Sequence, residues 1–183
     1  MLDREEALKL VNEHVKNDKL IKHMLAVEAI MRKTAEFLAG DKEKWALVGL
    51  LHDIDFDEIE HPKYHGVIAA DILKDKVDEE VITSIKSHNF ENTGIMPQSK
   101  MDYCLIAADA ISGLIIACAL MMPSKKMIEI KVESLKKKYK QKDFARNCSR
   151  ENMLYCEKAG IESDKFFEVA LKALQEIAED LGL

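Results

Sequence analysis

The sequence predicts an all-α protein. Apolar residues recur at the three- and four-residue spacing of an amphipathic helix along nearly the whole chain, and no run alternates with period two. Only 7 Gly and 3 Pro interrupt 183 residues, of which 48% are hydrophobic and 33% charged. This composition is typical of a folded helical domain that is long enough to bury its own core.

Start and stop signals divide the chain into helices. Asp18, Asp41 and Asp78 stand where helices begin, Gly40 follows the second helix, and Pro123 ends the longest one. The predicted helices cover 2–15, 18–40, 41–53, 64–76, 78–88, 104–122, 125–142 and 164–183. Irregular loops lie at 54–64 and 89–99.

The character of the chain changes after the longest helix. Residues 125–142 are basic and amphipathic, whereas the preceding stretch is apolar. We therefore expect residues 1–123 to form the core and 124–183 a helical extension that packs on it, within one globular domain.

Charge and cysteine content restrict the class of function. A formal net charge of −6 argues against an extended nucleic-acid-binding surface. Cys104, Cys118, Cys148 and Cys156 form no C-x-x-C pair, so neither a zinc ribbon nor a redox motif is predicted. Free thiols without a signal sequence lead us to expect a cytoplasmic protein.

One stretch tests the expectation of a soluble protein. Residues 104–122 are 19 residues with a single charge, which reaches the length of a membrane span. The lone Asp109 would be costly in lipid, and no second span accompanies it. We expect a buried central helix and no membrane partner.

Histidines and aspartates fall within apolar surroundings, where burial makes them costly unless they are paired. These residues are His23, His52, Asp53, His65, His88 and Asp109. An ionised Asp109 needs a positive partner, and the helix predicted at 104–122 contains no Lys or Arg. A lysine from elsewhere is one answer. A divalent metal is another, and it also accounts for the histidines, since imidazole and carboxylate ligate Zn, Mn, Fe, Co and Ni.

The ordered pattern H…HD…H…H…D is more informative than any of its members. With "LLHDI" around His52 and "AADAISG" around Asp109, it resembles the HD-domain superfamily of metal-dependent phosphohydrolases over roughly residues 18–115. The resemblance implies an HD-domain helical bundle with a central metal site. It also implies hydrolysis of phosphomonoesters or phosphodiesters, often of nucleotides. His65 and His88 resemble the extra ligands of subfamilies that hold two ions.

The resemblance implies a role for each ligand. Asp53 would bridge two divalent ions of Fe, Mn, Co, Ni, Zn or Mg, and with His52 would form the catalytic pair. His23, His52 and Asp109 would hold one ion, and His65 and His88 the other. Two such ions lower the pKa of a bound water and direct hydroxide at phosphorus, while they neutralise the phosphoryl oxygens.

The substrate is less defined than the chemistry. Phe56 stands where the dinucleoside-tetraphosphate hydrolases of the superfamily typically carry lysine, and the GYP signature of its cyclic-dinucleotide phosphodiesterases is absent. The chain is more similar to stand-alone HD proteins. We expect a small phosphorylated substrate, with nucleotides among the candidates, recognised by loops 54–64 and 89–99. Candidate substrate contacts are Lys22, Lys63, Asn89 and Ser112.

Several choices and alternatives accompany this interpretation. His65 is preferred to His61 as a ligand because Pro62 separates His61 from the helix that follows. Asp57 and Glu28 are candidates for orienting ligands, although Glu28 could instead pair with an arginine such as Arg32.

A catalytically silent sensor or scaffold that keeps its metal for stability is one alternative function, and an oxygenase with two irons is another. The sequence leaves a homo-oligomer open.

Overall fold

The computed structural model describes residues 2–183, which form helices and connecting loops without a β-strand. The helices are α1 Arg4–His14, α2 Asp18–Phe37, α3 Lys42–Leu51, α4 Val67–Leu73, α5 Glu79–His88, α6 Phe90–Thr93, α7 Lys100–Met121, α8 Val132–Lys140, α9 Arg150–Met153, α10 Tyr155–Lys158, α11 Ser163–Glu176 and α12 Ala178–Leu181. Short 3-10 turns lie at Pro62–Tyr64 and Met127–Glu129. The all-α prediction is confirmed.

Helix α7 lies at the centre of the fold. It packs against α2, α5 and the helices α8 to α11. Among the described residues, α7 is the one helix that is long and apolar enough to cross a membrane. However, 67% of its apolar 18-residue stretch is buried within the protein. Burial of this kind is what a core helix requires, because packing removes its apolar surface from water.

Helices α2 and α3 approach each other closely at Gly49. A Cβ at this position would lie 2.8 Å from the carbonyl oxygen of Val27 and 2.9 Å from the Cα of Glu28. Only glycine permits this approach, two residues before α3 ends at Leu51. The crossing fixes the end of α3 against α2, and so determines where the residues after Leu51 lie.

Several predicted helix boundaries are wrong. Helix α7 begins at Lys100 rather than at 104, because the side chains of Ser99, just before the helix, and Asp102, in its first turn, form a capping box. The predicted helix 125–142 is a 3-10 turn followed by α8. The last predicted helix is interrupted at Ile177 and forms α11 and α12.

The C-terminal helices share one hydrophobic core with the rest of the chain. Phe166 and Leu174 of α11 are buried in the same cluster as Val27 of α2 and Leu114 of α7. Helix α11 packs directly on α2 and on α7. The predicted boundary at 123 stays a prediction.

Candidate metal centre

The end of α3 places a histidine and an aspartate side by side in the interior. Helix α3 ends at Leu51, and residues from His52 onward turn away from the helix axis. Asp53 thereby enters a ring of imidazoles. Its Oδ1 lies 3.3 Å from Nε2 of His52, 3.2 Å from Nε2 of His65 and 3.7 Å from Nε2 of His88, while its Oδ2 lies 3.5 Å from Nε2 of His23.

Two of these imidazoles are held by the helix that carries them. Nδ1 of His52 donates to the carbonyl oxygen of Gly49 at 2.8 Å, and Nδ1 of His88 donates to the carbonyl oxygen of Ile85. Each acceptor stands three residues earlier, at the last turn of a helix, where carbonyl groups lack helical partners. Because Nδ1 of each ring carries the proton of this hydrogen bond, Nε2 is the nitrogen that faces the centre.

The other two imidazoles are held by side chains. Oγ of Ser112 donates to the carbonyl oxygen of Asp109 at 2.8 Å and accepts from Nδ1 of His23 at 3.1 Å. Nδ1 of His65 donates to Oδ1 of Asp55 at 2.8 Å. All four Nε2 atoms therefore point toward Asp53, an arrangement in which outer hydrogen bonds fix the ligand face of each histidine.

The inward-facing atoms form two groups that share Asp53. One group contains His23, His52 and Asp53, and the other contains Asp53, His65 and His88. Nε2 atoms lie 3.2 Å apart in the first group and 2.9 Å apart in the second. Ligand atoms held about 2.0–2.2 Å from a transition-metal ion stand roughly 3 Å from one another, so this donor set fits a divalent metal ion.

Asp109 lies beside the first group, but it is not buried as the sequence led us to expect. Its Oδ1 lies 3.1 Å from Nε2 of His23 and 4.0 Å from Nε2 of His52, yet its side chain is 40% exposed. The expectation of a fully buried carboxylate is therefore corrected. The apolar residues around it in sequence lie on other faces of α7, and Asp109 lies where the centre opens to solvent.

Electrostatics within the centre favour charge on the aspartates. Burial by itself raises the pKa of Asp53, but the charge of His52 and the hydrogen bonds from the neighbouring imidazoles hold that pKa well below its ordinary value. Partial desolvation opposes ionisation of Asp109, but its hydrogen bond with His23 and the charges of His52 and His23 keep its pKa below the ordinary value. For His65, burial lowers the pKa, but hydrogen bonds to Asp53 and Asp55 outweigh it and raise the pKa to about 10. Two carboxylates thus remain negative in the interior and attract cations.

Asp55 is the residue of the centre that the sequence analysis missed. It is fully buried and accepts from Nδ1 of His65 and from the backbone N–H groups of Gly66 and Ala69. Asp57, the orienting residue that the sequence suggested, instead accepts from the backbone N–H groups before α2. The only sequence signal for Asp55 is its place in H-D-x-D, one acid among four in the loop.

Three of the four candidate substrate contacts have other partners. Nζ of Lys22 donates to the carbonyl oxygen of Leu181, which ties α2 to the C-terminal segment. The side-chain amide of Asn89 donates to the carbonyl oxygens of Pro62 and His65, so Asn89 supports the turn that carries a ligand. Contact of these residues with substrate stays a prediction.

Ser112 and Lys63 complete the set. The hydroxyl of Ser112 contacts His23 and the backbone of α7, so it positions an imidazole, and its contact with substrate stays a prediction. Lys63 is exposed, with Nζ 4.8 Å from the ring centroid of Tyr64, and its role in substrate binding stays a prediction.

Two further polar residues named by the sequence analysis are structural. Glu28 is buried, and its carboxylate accepts from the guanidinium of Arg4 at 2.5 and 3.0 Å. Glu28 therefore pairs with an arginine, as the alternative in the sequence analysis proposed, and does not orient a ligand. His61 is exposed and accepts from the backbone N–H of Lys63 at the start of the 3-10 turn.

Comparison with protein families identifies the class of protein. The model of the HD domain matches residues 20–114, which is more than half of the chain and contains all the inward-facing histidines and aspartates. The chain belongs to the HD domain family. The four inward-facing histidines and Asp53 fit the divalent metal binding that the family implies. No curated protein and no solved structure gives a significant match.

Proposed function

We propose that the protein is a metal-dependent phosphohydrolase with a dinuclear centre, which cleaves a small phosphomonoester or phosphodiester. The observation that carries this proposal is the position of Asp53. Its carboxylate belongs to both groups of inward-facing ligands, with two imidazoles on each side. A carboxylate shared in this way is what two neighbouring ions need as a bridge.

The ions, when bound, would lower the pKa of a water molecule and neutralise phosphoryl oxygens as negative charge develops. The protein's own contribution is to hold the ligands without reorganisation. His52 and Asp53 are fixed by the end of α3, and His23 is fixed by Ser112. Asp109, partly exposed, marks the side from which the substrate would approach.

Asp53→Ala tests the proposal. The wild-type protein, purified without chelator, should carry a divalent metal by elemental analysis and hydrolyse p-nitrophenyl phosphate or bis-p-nitrophenyl phosphate with Mn²⁺, Co²⁺, Ni²⁺, Mg²⁺ or Fe²⁺. Asp53→Ala should reduce the rate to background, because it removes a ligand from both groups. Asp71→Ala, which changes an exposed aspartate on α4, is the matched control and should leave the rate unchanged.

The same measurements separate the alternatives. Bound metal without turnover on any phosphoester would favour a silent sensor or scaffold. Metal analysis that finds iron alone, with turnover that requires oxygen, would favour an oxygenase. A metal content near zero in protein never exposed to chelator would contradict all three.

A further inference from the structure

The chain exposes several apolar side chains where α7 ends. Leu120 and Met121, in the last turn of the helix, are 52% and 68% exposed, and Ile128 of the following 3-10 turn is 66% exposed. The 3-10 turn packs back on α7, so these side chains belong to one region of the surface. We call residues 120–131 the α7 tip. Side chains exposed by half or more protrude from a surface and do not line a groove.

Hydrogen bonds hold the α7 tip in this arrangement. The side-chain amide of Gln175 on α11 lies 3.3, 3.4 and 3.1 Å from three backbone carbonyl oxygens, those of Met127, Ile128 and Ile130. Met127 and Ile130 are buried, whereas Ile128 between them faces solvent. The anchored backbone therefore directs one of three successive apolar positions outward, and the exposure of Ile128 is a property of the fold.

Lysines lie beside the exposed apolar residues of the α7 tip. Lys125, Lys126 and Lys131 are all exposed. The single acid of the tip, Glu129, accepts a hydrogen bond from Oγ of Ser124 at 2.8 Å, which joins the two arms of the turn. The tip therefore combines protruding apolar side chains with positive charges.

The charge of the chain is concentrated around this surface. Residues 125–142 contain 8 Lys and 2 Glu, a net charge of +6, whereas the whole chain carries −6. Of these lysines, only Lys136 forms a salt bridge within residues 2–183, with Asp164 at 2.7 Å. The positive charge that the fold does not neutralise can therefore act on a partner of negative charge.

We propose that the α7 tip binds the surface of a membrane that contains anionic lipids. Peripheral proteins combine apolar side chains that enter the headgroup region with lysines that face lipid phosphates. A symmetric contact between two copies of the chain is disfavoured, because it would bring the lysines of both tips together. Helix α7 stays in the core in this arrangement, so the contact differs from a membrane span.

The surface is separate from the metal centre. Asp109 lies 12 residues before Met121 on α7, about 18 Å along the helix axis. Membrane binding would therefore place the centre above the lipid surface without using any of its ligands. The inference goes beyond the proposed function and does not depend on it.

Co-sedimentation of the whole protein with vesicles tests the contribution of charge. The wild type should bind vesicles of equimolar phosphatidylserine and phosphatidylcholine at least about tenfold more tightly than vesicles of phosphatidylcholine alone. Lys125→Glu with Lys126→Glu should remove most of this difference, because it reverses two charges of the tip. Lys74→Glu with Lys76→Glu, which makes the same change of net charge at exposed positions just after α4, is the matched control and should bind as the wild type.

Met121→Ser with Ile128→Ser tests the contribution of the apolar side chains. It should lower the affinity for the anionic vesicles by about tenfold or more, because less apolar surface leaves water. Phe37→Ser is the control. Phe37 is similarly exposed at 47%, but it lies beside Lys165 at the start of α11, whereas Gln175 holds the tip near the end of that helix. Circular dichroism and urea unfolding check that each variant is folded.

Ile128→Trp reports entry into the lipid directly. The natural Trp45 is buried, so its emission provides a constant background. The emission of the added indole should shift to shorter wavelength with the anionic vesicles and should be quenched by brominated lipid. Phe37→Trp should show neither effect.

Equal binding of the wild type to both kinds of vesicle, or binding to neither, would overturn the proposal. A loss of binding in Phe37→Ser as large as that in the Met121 and Ile128 double variant would also overturn it. Self-association that the double variant abolishes, in protein that binds no vesicles, would show that the tip is an interface between copies instead. Vesicle binding is measured without substrate, so failure of this inference leaves the hydrolase proposal untouched, and failure of hydrolysis leaves this inference untouched.

Discussion

Nδ1 of His65 donates a hydrogen bond to Oδ1 of Asp55 across 2.8 Å, and both side chains are buried. Oδ2 of Asp55 accepts from the backbone N–H groups of Gly66 and Ala69 at 2.8 and 2.9 Å. One carboxylate therefore fixes the ring of a candidate ligand and the first turn of α4. The orientation of His65 depends on Asp55 as much as on its own backbone.

Asp55→Asn should weaken Mn²⁺ binding by about 10–100-fold, the range typical of lost outer hydrogen bonds. The amide keeps the shape of the side chain, but its nitrogen cannot accept from a backbone N–H. Calorimetric titration of chelator-treated protein measures the effect. Asp57→Asn is the control, because Asp57 contacts only the α1–α2 connection. Equal affinities for wild type and Asp55→Asn would contradict this role.

Gly49→Ala should destabilise the metal-free protein by about 1–3 kcal/mol, because the added methyl meets the backbone of α2, which has no free space to move into. Urea unfolding followed by circular dichroism measures the loss. Gly113→Ala in a Cys148→Ala background is the control, since only Sγ of Cys148 lies near that position. A stability of Gly49→Ala at or above that of the wild type would show that the crossing is not tight.

Metal binding should weaken as the pH falls. The pKa of His65 is lowered by burial but raised overall to about 10 by hydrogen bonds to Asp53 and Asp55, so its imidazole is protonated at neutral pH in metal-free protein. Ligation requires removal of the proton on Nε2, and binding therefore releases it.

The stability of the metal-free protein depends on pH in the opposite direction, because protonation of His65 favours the folded state. The stabilisation from this raised pKa is fully present below the unfolded value of about 6.5 and is lost as the pH rises through about 10.

Calorimetry in buffers of different ionisation enthalpy measures this proton release. At a pH of about 7.5, the apparent binding enthalpy should vary with the buffer, and His65→Gln should reduce the variation. His61→Gln, which changes an exposed histidine outside the centre, should behave as the wild type. An enthalpy that does not depend on the buffer would show that no proton leaves.

The thiols should react slowly in the folded protein. Burial raises the pKa of Cys118 to about 11 and that of Cys156 to about 12, and it raises the pKa of Cys104 further. Few thiolates therefore exist at a pH of about 8. Ellman's reagent should modify at most the half-buried Cys148 without denaturant, and Cys148→Ser should abolish that reaction. Rapid reaction of a second thiol in that variant would contradict the buried core around α7.

The sequence predicted the fold class and the order of the inward-facing residues because both depend on local pattern. Helical periodicity specifies α2, α3 and α7, and the order of histidines and aspartates specifies which residues meet. The start of α7 was missed because its capping box lies in a polar segment that resembles a loop. The interruption at Ile177 was missed because the apolar pattern continues through it.

Hydrogen-bond partners could not be predicted in the same way. Asp55 and Asp57 are two acids of one loop, and only the position of that loop beside the first turn of α4 decides which of them contacts His65. Asn89 and Ser112 were correctly placed beside candidate ligands, but their polar atoms contact the protein. Exposure of Asp109 depends on which face of α7 the neighbouring helices cover, and that is a property of the tertiary structure.

A single carboxylate, that of Asp53, serves both halves of the centre, so the two binding equilibria are thermodynamically linked. Binding of an ion in one half changes the affinity of the other half, and the second ion changes the affinity for the first by the same factor. Titration with metal should therefore give an isotherm that two independent sites do not describe.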